Sequence, residues 1–370
     1  MPMRRDAAIS RRRLLLGAAS TAAWLSSPLA SRAWGAEPAN LRGGEILPDP
    51  DFSQLRESNP YVIGVRPHRR GGFRLELEAQ PLASPAGPKY LAHNYGHGGA
   101  GITLSWGCAS QVAELLAPLV AQLKRMKGGP SVAILGAGVI GLTTATELRR
   151  AFPYLPITIY ARDLDVRSTT SYIAGGQFEP SGIIHEYEDD AGKQRLADIL
   201  RRSRDRIVGL QASADRMLFG VAERQDYTLN HENRALDVFT PTDVIPAPRV
   251  GKLPFQQLNG VGREYSTWLM NPMILLPKLV ADLKQASVQF EQRAFDSVTE
   301  VAALRQNIVV NCTGYGAKKL FADAGVIPQR GHLVVLRKTL PKQFYFYSGG
   351  CANGVVSYVG RRSSWGLGSL

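Results

Sequence analysis

Val112, Leu115, Leu116, Leu119, Val120 and Leu123 recur at the three- and four-residue spacing that gathers apolar side chains on one face of a helix. Pro118 sits inside this run and lacks a backbone donor, so a kink is expected there. Phe73, Leu75 and Leu77 alternate with Arg74, Glu76 and Glu78, the period-two pattern of a half-buried strand. Val132–Leu135 is short and apolar throughout, as a strand covered on both faces should be. A turn at Gly136–Gly138, a helix from Val139 to about Phe152 and a strand at Ile157–Tyr160 follow it. Leu196, Ile199, Leu200, Ser203, Ile207 and Leu210 mark another amphipathic helix, and Met273–Leu283 a further one. Asn307–Cys312, Leu333–Leu336 and Val355–Val359 read as strands. Residues 37–60, rich in Pro, Gly and Asp, predict an extended linker with at most a short edge strand, and residues 211–262 show little period. No internal repeat emerges. The fold class is therefore α/β (α+β): a Rossmann-like unit beside a second, mainly antiparallel β domain.

With 370 residues, 44% hydrophobic and 20% charged, the chain can bury one or two cores and carries no disordered or collagen-like bias. Ser10-Arg11-Arg12-Arg13-Leu14-Leu15-Leu16 precedes a mildly apolar stretch with Pro28 and small residues up to Ala36. Residues 1–36 thus resemble a twin-arginine export signal, which implies a periplasmic or secreted protein. A basic tail leading into a membrane anchor is the alternative, but Gly17 and Pro28 interrupt the roughly 20 apolar residues a span needs. Without this segment the formal charge of +13 falls to about +8. That charge is scattered in pairs such as Arg69-Arg70 and Arg149-Arg150, with no aromatic-interleaved stripe, so nucleic acid is not an expected partner. It suits an anionic substrate or a solvated surface. The three cysteines, Cys108, Cys312 and Cys351, show no metal-ligand or disulfide spacing.

Gly136-Ala137-Gly138-Val139-Ile140-Gly141 matches G-x-G-x-x-G between a strand and a helix, the setting in which that pattern holds a dinucleotide. Asp163, 22 residues past Gly141, lies near the position of an acid that takes ribose hydroxyls. An ordinary glycine turn would carry the first match without the second. His93 and His97 are four residues apart, but the glycines between and after them argue against a helix, so no metal is expected.

The remaining motifs narrow the cofactor. His93-Asn94-Tyr95-Gly96-His97-Gly98-Gly99-Ala100-Gly101 with Ile102 and Thr103, Ser168-Thr169-Thr170, Ala174-Gly175-Gly176-Gln177-Phe178-Glu179-Pro180, Asn311-Cys312-Thr313-Gly314 and Arg330-Gly331-His332 together resemble the D-amino-acid oxidase family. In that family the HNYGHGG segment closes the chain, whereas here it precedes the Rossmann strand. The resemblance therefore implies a circular permutation, joined through Arg125–Pro130. It divides the chain into a signal at 1–36, a displaced C-terminal segment at 37–127, a Rossmann FAD-binding unit at 131–185, and a mixed substrate domain with the remaining FAD-binding strands at 186–370.

The resemblance implies FAD, held by Gly136, Ala137, Gly138, Ile140, Gly141, Arg162, Asp163, Thr169, Thr170, Gly175, Gly176, Phe295, Thr313, Gly314, Gly98, Gly99, Gly101, Ile102 and Thr103. It implies oxidation of a D-amino acid by oxygen to an imino acid, which hydrolyses to keto acid and ammonia, with hydrogen peroxide released. Arg66, in Gly64-Val65-Arg66-Pro67, falls on the substrate arginine, whose planar fork suits an α-carboxylate. Tyr358 falls on a substrate tyrosine, and Gly99 on the backbone facing the reacting centre. A surface role for Arg66 is the plain alternative. Around Tyr358 one residue is missing from the family pattern, Gly354 stands near a second tyrosine, and Glu179 replaces a frequent Gln. D-aspartate, glycine or N-methyl amino acid oxidation, or FAD binding without turnover, accordingly stay open. No lasting membrane anchor is expected once the signal is removed, and a homodimer is compatible with the family.

Overall fold

Three fully buried strands form the centre of the main sheet, as expected of strands covered on both faces. The computed structural model describes residues 39–49, 55, 57–85, 87–180, 182–213, 218–229, 243–244, 246–335, 346–351 and 354–359. The signal expected at 1–36 lies outside the described residues.

In chain order, β1 (Tyr61–Arg69), β2 (Arg74–Leu77) and β3 (Tyr90–Tyr95) lead into the long helix α1 (Gly101–Leu123). Then come β4 (Val132–Leu135), α2 (Val139–Ala151) and β5 (Ile157–Ala161), the strand, turn, helix and strand read from the sequence. After α3 (Asp190–Ala212) follow β6 (Val221–Leu229), β7 (Arg249–Lys252) and β8 (Val261–Met270), then α4 (Pro272–Gln285) and β9 (Gln289–Gln292). β10 (Ile308–Asn311), β11 (Val326–Val334), β12 (Phe346–Cys351) and β13 (Gly354–Val359) complete the sheets.

The first sheet has the order β2-β3-β10-β4-β5-β9, parallel except at the β2–β3 edge. Every residue of β4, β5 and β10 is buried. The second sheet, β13-β12-β6-β8-β7, is antiparallel except where β12 runs parallel to β6. β1 and β11 form a separate antiparallel pair. The α/β class with a mainly antiparallel second sheet is thus as the pattern implied. β6 and β7 occupy the stretch with little period, and β8 begins at its end: in β6 a run of buried residues that includes Asp226 and Thr228 replaces the apolar alternation a strand reading needs.

α1 is long and apolar enough to cross a membrane by length and composition alone, yet it packs against α2 and α3. It continues through Pro118. Gly107 makes the close approach to α3 possible: a Cβ there would overlap the Ile199 carbonyl, and its N–H donates to Ser203 Oγ at 2.8 Å. The linker read at 37–60 is pinned by bridges from Asn40 to Lys252 and from Leu47 to Phe255. Arg42 adds a hydrogen bond to Tyr227 Oη at 2.9 Å.

Candidate active site

Beyond Leu135 the chain turns at Gly136 with φ +114°, where a Cβ would stand 2.5 Å from the Cys312 carbonyl oxygen. No residue with a side chain fits that turn. Gly141 lets α2 approach β4, since any Cβ there would overlap the Gly136 carbonyl. Gly138 caps α2 without a side chain, and no acidic residue occupies the first turn. The helix's positive end is therefore left for an anion, with Ser171 Oγ accepting only the Val139 N–H, at 3.1 Å.

A cavity of about 560 Å³ opens at this point, beyond the carboxyl ends of β4, β5 and β10, where open α/β sheets bind ligands. Gly136, Gly138 and Ile140 line it, as do Thr169, Thr170 and Gly175, Thr313 and Gly314, and Gly99, Gly101 and Ile102. Arg162, Asp163 and Phe295 form its wall beyond β5. Arg293 belongs there too, its guanidinium 4.7 Å from the Phe295 ring centroid. Asp163 is the one acid among the described lining residues, against Arg66, Arg162 and Arg293. A wall with three guanidiniums, a glycine cradle and a single acid near the ribose position fits an anionic dinucleotide such as FAD.

Five of the anticipated residues sit behind the wall instead. Ala137 is buried, Gly141 packs on Gly136, and a Cβ at Gly176 would overlap the Met270 carbonyl. Gly98 packs against Ile183 and His68. Thr103 is buried, and its hydroxyl lies 3.2 Å from the Gln177 carbonyl oxygen and 3.0 Å from that of Glu179 while accepting from the Glu179 N–H at 3.1 Å. Thr169 and Thr170 reach the cavity, but their hydroxyls donate to the backbone carbonyls of Val166 and Val65. Ser171, Ile173, Arg293 and Tyr315 line the cavity without having been singled out; only Ser171, next to the threonine run, carried a local signal.

Arg66 enters the same cavity from β1. Its side chain runs between two glycines: a Cβ on Gly99, where φ is +107°, would lie 2.9 Å from Arg66 Cδ, and one on Gly331 would lie 2.9 Å from Nε. Among the described residues no carboxylate pairs with it. Tyr358 lies on β13 opposite Tyr347 of β12, and its side chain falls outside the described residues.

Two buried networks brace the site. Asn311 Oδ1 accepts the Thr313 N–H at 3.1 Å and its hydroxyl at 2.7 Å, while Asn311 Nδ2 lies 3.1 Å from His93 Nδ1 and His93 Nε2 lies 2.8 Å from Glu78. Burial pushes the His93 imidazole down from its ordinary range, and its two ring nitrogens face Asn311 and Glu78. His97, stacked on Phe73, is held down at about 3 by burial. Behind Thr103, the Gln177 amide and the Tyr265 hydroxyl donate to the fully buried Asp226. Burial and then the nearby Glu179 push the Asp226 carboxyl up to about 7. Glu179, the departure from the family pattern, therefore acts on a partner that strand periodicity could not reveal.

The profile of the family DAO, described as FAD dependent oxidoreductase, matches residues 131–359. A D-amino-acid oxidase of Streptomyces coelicolor is 32% identical over 213 residues, covering 55% of this chain and 58% of that protein. D-aspartate oxidase 2 of Caenorhabditis elegans is 25% identical over 227 residues, covering 59% and 63%. The chain thus spans about three fifths of the length of these relatives. Among solved structures, L-amino acid deaminase from Proteus vulgaris lacking its specific insertion aligns with a TM-score of 0.39 at 15% identity, over 61% of this chain and 67% of that one.

Proposed function

This chain belongs to the DAO family of FAD-dependent oxidoreductases, and from that premise we propose that it oxidises a D-amino acid at the α-carbon, with oxygen as the second substrate. Arg66 carries the proposal. Its guanidinium has no carboxylate partner among the described residues and projects into the cavity that holds the dinucleotide cradle, which suits the carboxylate common to every amino acid. FAD bound there would accept a hydride from the α-carbon and pass both electrons to oxygen, giving hydrogen peroxide.

The chain's own residues contribute positioning and electrostatics. Arg66 would grip the carboxylate, and the resemblance to the family assigns Tyr358 to orienting it. Gly99 and Gly101, which line the cavity, would let the backbone approach a bound flavin, and the uncapped N-terminus of α1, with no acid in its first turn, would favour negative charge there. A substrate amine that arrives neutral requires no general base, and the imino acid hydrolyses in water. Similarity to D-aspartate oxidase 2 favours an acidic side chain as the second reading.

Purified, FAD-loaded protein should release peroxide, with ammonia (methylamine from an N-methyl substrate), on at least one member of a panel of D-amino acids that includes D-aspartate, extended with glycine and N-methyl amino acids, and should act on none of the L-enantiomers. A best substrate of D-aspartate selects the second reading. Yellow protein silent on the whole panel would leave an FAD-binding module and remove the oxidase assignment.

We further propose that the segment order is a permutation. β3 pairs with β10, which pairs with β4, and α1 packs on α2, so residues 74–123 complete the sheet and layer that residues 131–161 begin. The joint includes Gly128 and Gly129, where a Cβ would meet nothing within 4 Å. A protease site inserted there and cut after folding should leave the two pieces associated with FAD bound. Separation of the pieces on cutting would count against a joint that merely bridges two older termini.

A further inference from the structure

His68, His185 and Glu186 meet on the far side of the flavin loop, and we propose that they form a binding site for one divalent cation of the zinc class. They come from two places far apart in sequence: His68 from β1, two residues past Arg66, and the neighbours His185 and Glu186 from the 3-10 turn Ile184–Glu186. Glu186 Oε1 lies 2.9 Å from His68 Nε2 and 3.3 Å from His185 Nε2, and the ligand atoms of all three lie within 4.8 Å of one another. Tetrahedral zinc with bonds of roughly 2.0–2.1 Å sets neighbouring ligand atoms about 3.3 Å apart, so little movement separates this cluster from a coordination triangle.

The surroundings prepare each ligand. The Gly71 N–H donates to Glu186 Oε2 at 2.7 Å, which fixes the carboxylate with its other oxygen towards the two rings. The imidazoles of His68 and His185 stack with centroids 5.4 Å apart and planes 17° apart. His68 is buried, and its Nδ1, close to Gly98, has no hydrogen-bond partner, leaving Nε2 as the ring's outward ligand. The His185 side chain is 47% exposed, which gives an ion an entry path and leaves a coordination position for water. Two imidazoles and one carboxylate favour Zn²⁺ and its borderline neighbours over Mg²⁺ or Ca²⁺. His93 and His97 take no part, being committed to Glu78 and Phe73.

The cluster's position gives the cation a task. Arg66 packs on Gly99, and His68 on the neighbouring Gly98, so an ion fixing His68 to residues 185–186 would clamp the loop that borders the FAD cavity. At free Zn²⁺ about 100 times Kd, the folded population gains about 100-fold over the unfolded.

The test uses tag-free, FAD-loaded full-length protein, stripped with EDTA and titrated with zinc chloride. One Zn²⁺ per chain should bind, with a rise in Tm of several degrees and slower loss of FAD on dilution. His185→Ala, at an exposed position, should fold and keep FAD yet lose the bound zinc and the Tm rise; Glu186→Gln should do the same. Mg²⁺ should give no Tm shift. Absence of stoichiometric zinc in wild type, or equal binding and equal Tm rise in both variants, would reduce the cluster to a His–Glu ion pair. These readouts need no turnover, so they stand or fall separately from the oxidase assignment.

Discussion

Arg66→Ala is expected to lower kcat/KM on the best D-amino acid by about 30-fold to several thousand-fold while leaving FAD content unchanged. The range follows from the roughly 2–5 kcal/mol lost when one member of a desolvated, hydrogen-bonded charge pair is removed, at about 1.4 kcal/mol per tenfold. Arg66 lies between Gly99 and Gly331, glycines whose missing side chains make room for it, so the guanidinium is directed before substrate arrives. Arg66→Lys should recover only part of the loss, because an ammonium replaces a planar fork with a point charge. Steady-state rates and the flavin absorbance of the same preparation decide the matter. An efficiency within threefold of wild type would take Arg66 out of the site; loss of yellow colour together with activity would reassign it to the cofactor.

Gly141→Ala should cost the protein most of its bound FAD and a substantial part of its stability. The added methyl would overlap the Gly136 carbonyl, and overpacking of this kind typically costs about 1–3 kcal/mol, occasionally more. Relief requires α2 to move away from β4, which carries Gly138 and Ile140 out of the cavity wall. Gly138→Ala separates binding from folding. Its Cβ would meet only Ser171 Oγ, at 3.3 Å, and its φ of −77° suits alanine. That variant should fold with nearly the wild-type Tm but hold FAD more weakly, since the methyl stands where backbone and phosphate must approach. Fluorescence of FAD released on dilution and thermal melts give both quantities. Wild-type flavin content and Tm in Gly141→Ala would show that the cradle adapts, and would remove its close packing as the reason for glycine.

Local sequence was sufficient wherever the cause of structure is local or periodic. Four consecutive apolar residues made β4 recognisable, the G-x-G-x-x-G spacing located the cradle between β4 and α2, and helical periodicity marked α1, α3 and α4. The residue type of Arg66 suggests an anion grip, and the glycines of the HNYGHGG segment a close backbone approach. Tertiary structure decided what those groups touch. Thr103 looked like a hydroxyl for the cofactor, yet it is consumed by the Gln177 and Glu179 backbone, because the start of α1 docks against that loop. Asp226 gave no signal in its own segment, since its character comes from burial beside Glu179, 47 residues away in sequence. His68, His185 and Glu186 are unremarkable letters in two basic or acidic stretches until β1 and the 3-10 turn bring them together. Periodicity and glycine spacing are written in neighbouring residues, whereas burial, ligand triangles and the commitment of a hydroxyl depend on which distant segments the folded chain sets side by side.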